Sequence, residues 1–235
     1  MSTESPPEID LESDIAIDAE IDPTGSLAED EVIGADESDE VIGDEPALGQ
    51  VEAAGETEIA WAREMLEPVA DNLGTLLDTR CELTLGEVER HGSRPAGEGS
   101  VHISFKLGFK TDIAVLHGCL LIPFADAVSL AGLMMEVPRD ELEALRDSET
   151  LDSIQKDAML EIGNMIATSA DEALAPLGFD GVSVRSEGCQ GVRAGVRPAL
   201  VYEEGSPLVV GHVELQLGDF PPSKALLILP ELSLL

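Results

Sequence analysis

The strongest constraint on the fold is a long helix-patterned stretch, Leu151 to Leu177, with an alanine-rich apolar face. Within it, Asp157, Glu161 and Asn164 are spaced by four and then three residues, so their side chains share one stripe of a helix with 3.6 residues per turn. We call this stripe the motif ridge. The apolar residues on the neighbouring faces are predicted to turn toward a core. They are Ile154, Ala158, Ile162, Met165, Ile166, Ala173 and Leu174.

The pair Gly163 and Asn164 conflicts with this helical setting. Glycine costs about 1 kcal/mol relative to alanine inside a helix, and asparagine is also a poor helix former. Packing or function must therefore compensate at both positions. This local conflict is the strongest lead to function in the chain.

Charge narrows the classes of partner. The formal net charge is -35 at pH 7, which disfavours nonspecific binding to nucleic acid or to anionic lipid surfaces, because both select clustered Lys and Arg. No apolar run approaches the roughly 20 residues that span a bilayer, and no basic segment followed by an apolar run opens the chain. We therefore expect a cytoplasmic protein without membrane insertion.

Residues 1 to 55 are predicted to be a disordered acidic tail, and residues 56 to 235 to be the folded domain. Through Ala62 the chain has 20 Asp and Glu residues and no Lys or Arg, and such a mixture buries too little apolar surface to offset ordering entropy. Within the tail the pentamer Asp30–Gly34 recurs as Asp39–Gly43. This repeat is either a short partner-docking peptide or low complexity.

The cysteines and histidines do not form a recognisable metal site. Cys81, Cys119 and Cys189 are widely spaced and lack any CxxC, so neither a disulfide framework nor a zinc site is predicted. Cys119 is interpreted as a small buried hydrophobe. The four histidines show no i,i+4 pairing, and we expect no bound metal.

The remaining patterns predict an α+β fold. Val101 to Phe109 alternates apolar and polar residues like a half-buried strand, and Cys81 to Val88 is a second strand with a bulge near Gly86. Ser148, Glu149 and Thr150 are predicted to cap the long helix. Further helices are predicted over Thr57 to Leu77, Ala125 to Val137 and Pro138 to Leu145, and further strands over Ile113 to Ile122, Gly181 to Val184, Ala199 to Tyr202, Leu208 to Leu217 and Lys224 to Leu229. This order predicts a mostly antiparallel sheet with long helices packed on one side.

The motif Asp157-x3-Glu161-x2-Asn164, with its Glu-Ile-Gly-Asn core, resembles the CheC, CheX and FliY family of bacterial chemotaxis phosphatases. The segment Gly118 to Pro123, followed by a helix, resembles the strand-to-helix passage that precedes the motif in that family. The resemblance covers residues 58 to 229. The single motif is more similar to CheX than to two-site CheC, while Ser186 occupies the position of a family proline, so the loop after the helix is expected to differ.

The resemblance implies hydrolysis of the aspartyl phosphate on a CheY-like receiver domain. Glu161 would pair with the receiver's active-site lysine, and Asn164 would enter the receiver and position a water. Asp157 would be accessory. The receiver would supply magnesium, so no cofactor or metal of the chain's own is implied. A homodimer through the sheet is a possible assembly.

A second interpretation is a noncatalytic adaptor of the same fold, resembling the middle domain of the flagellar switch protein FliM. It would bind a receiver without hydrolysis. The acidic tripeptides Glu8-Ile9-Asp10 and Glu20-Ile21-Asp22 would then be candidate docking peptides in the tail.

Overall fold

The computed structural model describes residues 51–148, 150–179, 181–202 and 206–235. The acidic tail from residue 1 to residue 50, with both pentamers and both tripeptides, lies outside the described residues. No helix in the described part of the chain combines the length and the apolar character needed to cross a membrane.

The described residues form seven strands and four α-helices. In chain order they are β1 (Val51–Ala53), α1 (Glu56–Leu76), β2 (Cys81–His91), β3 (His102–Lys110), β4 (Val115–Pro123), α2 (Phe124–Met134), α3 (Arg139–Arg146), α4 (Ser153–Leu174), β5 (Ser183–Val192), β6 (Leu208–Leu217) and β7 (Ser223–Pro230). Short 3-10 turns follow α4 and β7.

The strands make one sheet in the order β1-β2-β6-β7-β4-β3-β5, and every neighbouring pair is antiparallel. The predicted α+β class and antiparallel sheet are confirmed. The predicted bulge in β2 is also confirmed, because its register with β6 shifts between Leu85 and Val88.

The main core lies between the helices and one face of the sheet. Trp61 of α1 is 1% exposed, and its ring meets Phe109 of β3 edge-on with centroids 5.9 Å apart. Alternate residues of β3, including Phe105 and Leu107, point into the same core. Burial of large aromatic and aliphatic side chains on this face stabilises the domain by about 1.5 to 3 kcal/mol each.

The second face of the sheet is also covered, which corrects the expectation that β3 is half-buried. His102 and Ser104, two polar members of its alternation, are 2% and 0% exposed, while Lys106 is partly buried. The prediction of a strand at Ala199 to Tyr202 is wrong. This segment crosses the second face instead, with Leu200 in a small apolar cluster and the Tyr202 hydroxyl donating to the Gly92 carbonyl at 2.7 Å.

The two edge strands have bounds that the side-chain pattern does not show. Val51–Ala53, placed in the tail by composition, form β1 and pair with the end of β2. β5 runs from Ser183 to Val192, well beyond the predicted Gly181 to Val184, and pairs with β3. Both strands pair through main-chain hydrogen bonds, which do not depend on apolar side chains. Their polar and glycine-rich sequences therefore lack the apolar pattern by which a strand is predicted.

Candidate functional site

The long helix α4 begins with a reciprocal cap. The carboxylate of Asp152 accepts the Gln155 N–H at 2.8 Å, and the Gln155 side-chain oxygen accepts the Asp152 N–H at 2.9 Å. The predicted cap at residues 148 to 150 is therefore too early. Asp152 is favoured because both hydrogen bonds satisfy main-chain donors that the first helical turn leaves unpaired.

One face of α4 is fully buried between α1, α2 and the sheet. Met159, Ile162 and Ile166 are each 0% exposed, and Ala167 and Ala170 are nearly so. The small alanines let the neighbouring elements approach closely. Burial of this face fixes the rotation of the helix and therefore the direction of every other side chain on it.

The opposite face carries the motif ridge. Asp157, Glu161 and Asn164 are all exposed, as the four and three residue spacing predicted, and Thr168 continues the same stripe. The main-chain carbonyl of Asn164 accepts a hydrogen bond from the Thr168 hydroxyl at 2.9 Å, and this bond does not involve the Asn164 side chain. In the described part of the chain, the Asn164 amide and the Glu161 carboxylate are thus available to a partner.

Gly163 has a packing role. A Cβ built at this position would lie 3.2 Å from the Ser186 Oγ and 3.4 Å from Cδ1 of Phe105. The missing side chain therefore allows α4 to approach β5 and β3 closely. The Gly-Asn conflict seen in the sequence has two separate causes, since Gly163 faces the sheet and Asn164 faces solvent.

Polar side chains outside the predicted site hold α4 in place. The Asp171 carboxylate accepts the Val184 N–H at 2.6 Å, which ties the last turns of the helix to β5. The Asn72 amide donates to the Ser169 hydroxyl at 2.8 Å, and that hydroxyl donates to the Met165 carbonyl at 2.9 Å. Sequence reasoning missed these anchors, although a serine at a buried helical phase was a signal for Ser169.

Ile154 corrects another expectation. It was predicted to turn toward the core, yet its side chain is 66% exposed. Glu161 follows it by seven positions, and seven steps of about 100° return to within about 20° of the same direction. Ile154 therefore lies on the side of α4 that carries the motif ridge, two turns before Glu161.

The ridge is acidic and the cysteines take no part in it. Burial raises the pKa of the Cys119 thiol to about 12, so this side chain stays protonated and packs as the predicted small hydrophobe. Among the described residues, no three His, Cys, Asp or Glu side chains lie together as metal ligands. What the ridge offers is an exposed carboxylate and an exposed amide on one helix.

Only one such ridge is present on the two long helices. In α1, Glu67 is exposed, but the residue three positions later is Ala70, which is 8% exposed. Asn72, five positions after Glu67, is held by Ser169. The α1 helix therefore lacks the carboxylate and amide pair that α4 presents.

No family model and no curated protein matches the sequence. Among solved structures, FliY from Thermotoga maritima superposes with a TM-score of 0.59 at 16% identity, over 75% of this chain and 91% of that one. The FliM middle domain from H. pylori superposes with a TM-score of 0.55 at 10% identity, over 75% of this chain and 94% of that one. A chain of the H. pylori FliG–FliM complex gives a TM-score of 0.56 at 11% identity, with coverages of 75% and 94%. The fold of this chain is therefore the one that FliY and the FliM middle domain share.

Proposed function

We propose that the protein accelerates hydrolysis of the aspartyl phosphate on a CheY-like receiver domain in cytoplasmic two-component signalling. The observation that supports this best is the exposure of Glu161 and Asn164 on one stripe of α4, with the buried face of the helix locked against the sheet. Side chains three residues apart on a helix lie about 5 to 6 Å apart at their Cβ atoms. A single receiver pocket can therefore engage both.

The reaction needs placement more than new chemical groups. A water attacks phosphorus in line, the bond from phosphorus to the aspartyl oxygen breaks, and the products are inorganic phosphate and a free aspartate. The Asn164 carbonyl would accept a hydrogen bond from that water, and its amide would donate to a phosphoryl oxygen. No shifted pKa is required of an amide. Magnesium and the lysine that stabilises the leaving charge belong to the receiver.

Glu161 would dock the receiver. A carboxylate one turn before Asn164 can pair with the receiver lysine through a charge-assisted hydrogen bond, which is stronger than a neutral one. Asp157, one further turn back and also exposed, would be accessory and orient the partner. Asp157 and Glu161 also make the contact surface negative, which favours a partner with an exposed cation.

The test is the rate of dephosphorylation of purified phosphorylated receivers. Asn164→Ala is expected to keep the fold, since the side chain is exposed, and to lower kcat at least tenfold, as typical for loss of a group that positions a reactant. Glu161→Ala is expected to raise KM. Glu143→Ala is the matched control, because Glu143 is an exposed glutamate on α3 and not on the motif ridge. An unchanged rate in the Asn164 variant would contradict the proposal.

A second function is a noncatalytic adaptor, which the likeness to the FliM middle domain supports. In this case the acidic tail would carry the receiver-binding peptide. Deletion of residues 1 to 50 separates the two functions and leaves β1 in place. An adaptor would lose receiver binding on deletion, whereas the phosphatase would keep turnover that depends on Asn164.

A further inference from the structure

The first turn of α4 presents an apolar side chain to solvent. Ile154 is 66% exposed and belongs to neither of the apolar clusters that pack on the two faces of the sheet. One exposed aliphatic side chain is ordinary on a protein surface. Ile154 differs by its position, because it lies in line with Glu161 on a helix whose exposed face is otherwise polar.

A second apolar side chain borders the same surface. Leu160 is partly exposed and is likewise absent from the core clusters. It precedes Asn164 by four residues, so the two side chains are neighbours on the helix. The carboxylate and amide of the motif ridge thus have an apolar residue on the N-terminal side and another beside them.

We infer that Ile154 is the apolar anchor for the receiver domain, an inference that rests on the proposed phosphatase function. Ile154 and Glu161 are two helical turns apart, which is about 10.5 Å along the helix axis. The partner that fits is a receiver with an apolar patch about that far from its active-site lysine. The lysine pairs with Glu161, while the patch covers Ile154.

The division of roles follows from the energetics of interfaces. An exposed charge without a paired partner group, such as Asp157, steers association and sets orientation, but contributes little affinity once salt screens it. Apolar side chains that become buried in an interface contribute affinity, because their surface is removed from water. Ile154 is therefore a binding residue, and its loss acts on KM, whereas loss of Asn164 acts on kcat.

The test compares two serine substitutions of exposed isoleucines. Ile154→Ser is expected to raise KM for a phosphorylated receiver about tenfold, equal to about 1.4 kcal/mol of binding free energy. Ile154→Leu is expected to restore most of the loss, because the contact is apolar. Ile113→Ser is the matched control, since Ile113 is 92% exposed in the β3–β4 hairpin and is not part of α4.

The outcomes distinguish this inference from the proposed function. If Ile154→Ser leaves KM within twofold of wild type while Asn164→Ala abolishes acceleration, the phosphatase stands and the anchor is refuted. If the wild-type protein accelerates no receiver, the phosphatase fails, and the anchor is judged by titration with beryllofluoride-loaded receiver domains. Loss of that binding in Ile154→Ser but not in Ile113→Ser would support the anchor. Equal binding by both variants and wild type, or none, would refute it.

Discussion

Replacement of Gly163 by valine tests the packing argument for the Gly-Asn pair. The atoms that face Gly163 are close: a Cβ added there would lie 3.2 Å from the Ser186 Oγ and 3.4 Å from Cδ1 of Phe105. One methyl group fits there with a shift of a few tenths of an ångström. Valine would add two more methyl groups to space that the serine and the ring already occupy.

The expected magnitude follows from two opposing effects. Gly163→Val gains a few tenths of a kcal/mol from better helix propensity. Overpacking of a well-packed site costs about 1 to 3 kcal/mol. The second effect is larger, so we expect a net loss of about 0.5 to 2.5 kcal/mol in the free energy of unfolding. At about 3 °C per kcal/mol for a domain of this size, Tm falls by about 2 to 8 °C.

The assay is urea unfolding followed by circular dichroism, with Asn164→Val as the matched control. Asn164 is the adjacent residue and is exposed, and valine and asparagine have similar helix propensities. The control is therefore expected to lie within about 0.5 kcal/mol of wild type. It should also lose phosphatase activity, which separates the role of Asn164 from that of its neighbour.

A Gly163→Val protein as stable as wild type would refute the reasoning. The alanine variant gives a second check, because its single methyl group meets the Ser186 Oγ first. If Gly163→Ala is destabilising, Ser186→Ala in the same chain should recover part of the loss. A double-mutant cycle with no coupling between the two positions would also contradict the close contact.

Two further predictions concern buried polar groups. Arg146 pairs with the Asp126 carboxylate at 2.7 Å, and the Asp126 side chain is only 3% exposed. Arg146→Ala should therefore lower the free energy of unfolding, measured in urea, by about 3 to 5 kcal/mol, because it leaves a buried charge unpaired. A loss below about 1 kcal/mol would contradict this. Burial lowers the pKa of His102 below its ordinary value of 6.5, although its hydrogen bond to the Ser100 carbonyl opposes the shift. Below that value the unfolded chain takes up a proton that the folded chain resists, so stability falls as pH drops through about 6.5 and returns above it. His102→Gln should show a smaller difference in unfolding free energy between about pH 5 and about pH 7 than wild type, and an equal difference would exclude this histidine as the cause.

Local periodicity in the sequence was sufficient to predict many of the helices and strands and the position of the motif ridge. The spacing of Asp157, Glu161 and Asn164 depends only on helix geometry and on which face is apolar, and the exposed ridge has the predicted residues. The strand character of β2 and β3 and the bulge in β2 follow in the same way from alternation and its interruption. These features are encoded by neighbours in sequence, so the sequence alone determines them.

The tertiary structure decided features that depend on residues far apart in the chain. The reason for Gly163 is visible only once Ser186 and Phe105 are placed against it. The second face of the sheet is covered in part by a segment that lies elsewhere in the chain: Leu200 packs with Cys119 and Leu121. The edge strands β1 and β5 are held by main-chain hydrogen bonds, and these leave no pattern in the side chains. Ile154 has an apolar side chain that suits a core, and only the packed orientation of α4 shows that it faces solvent.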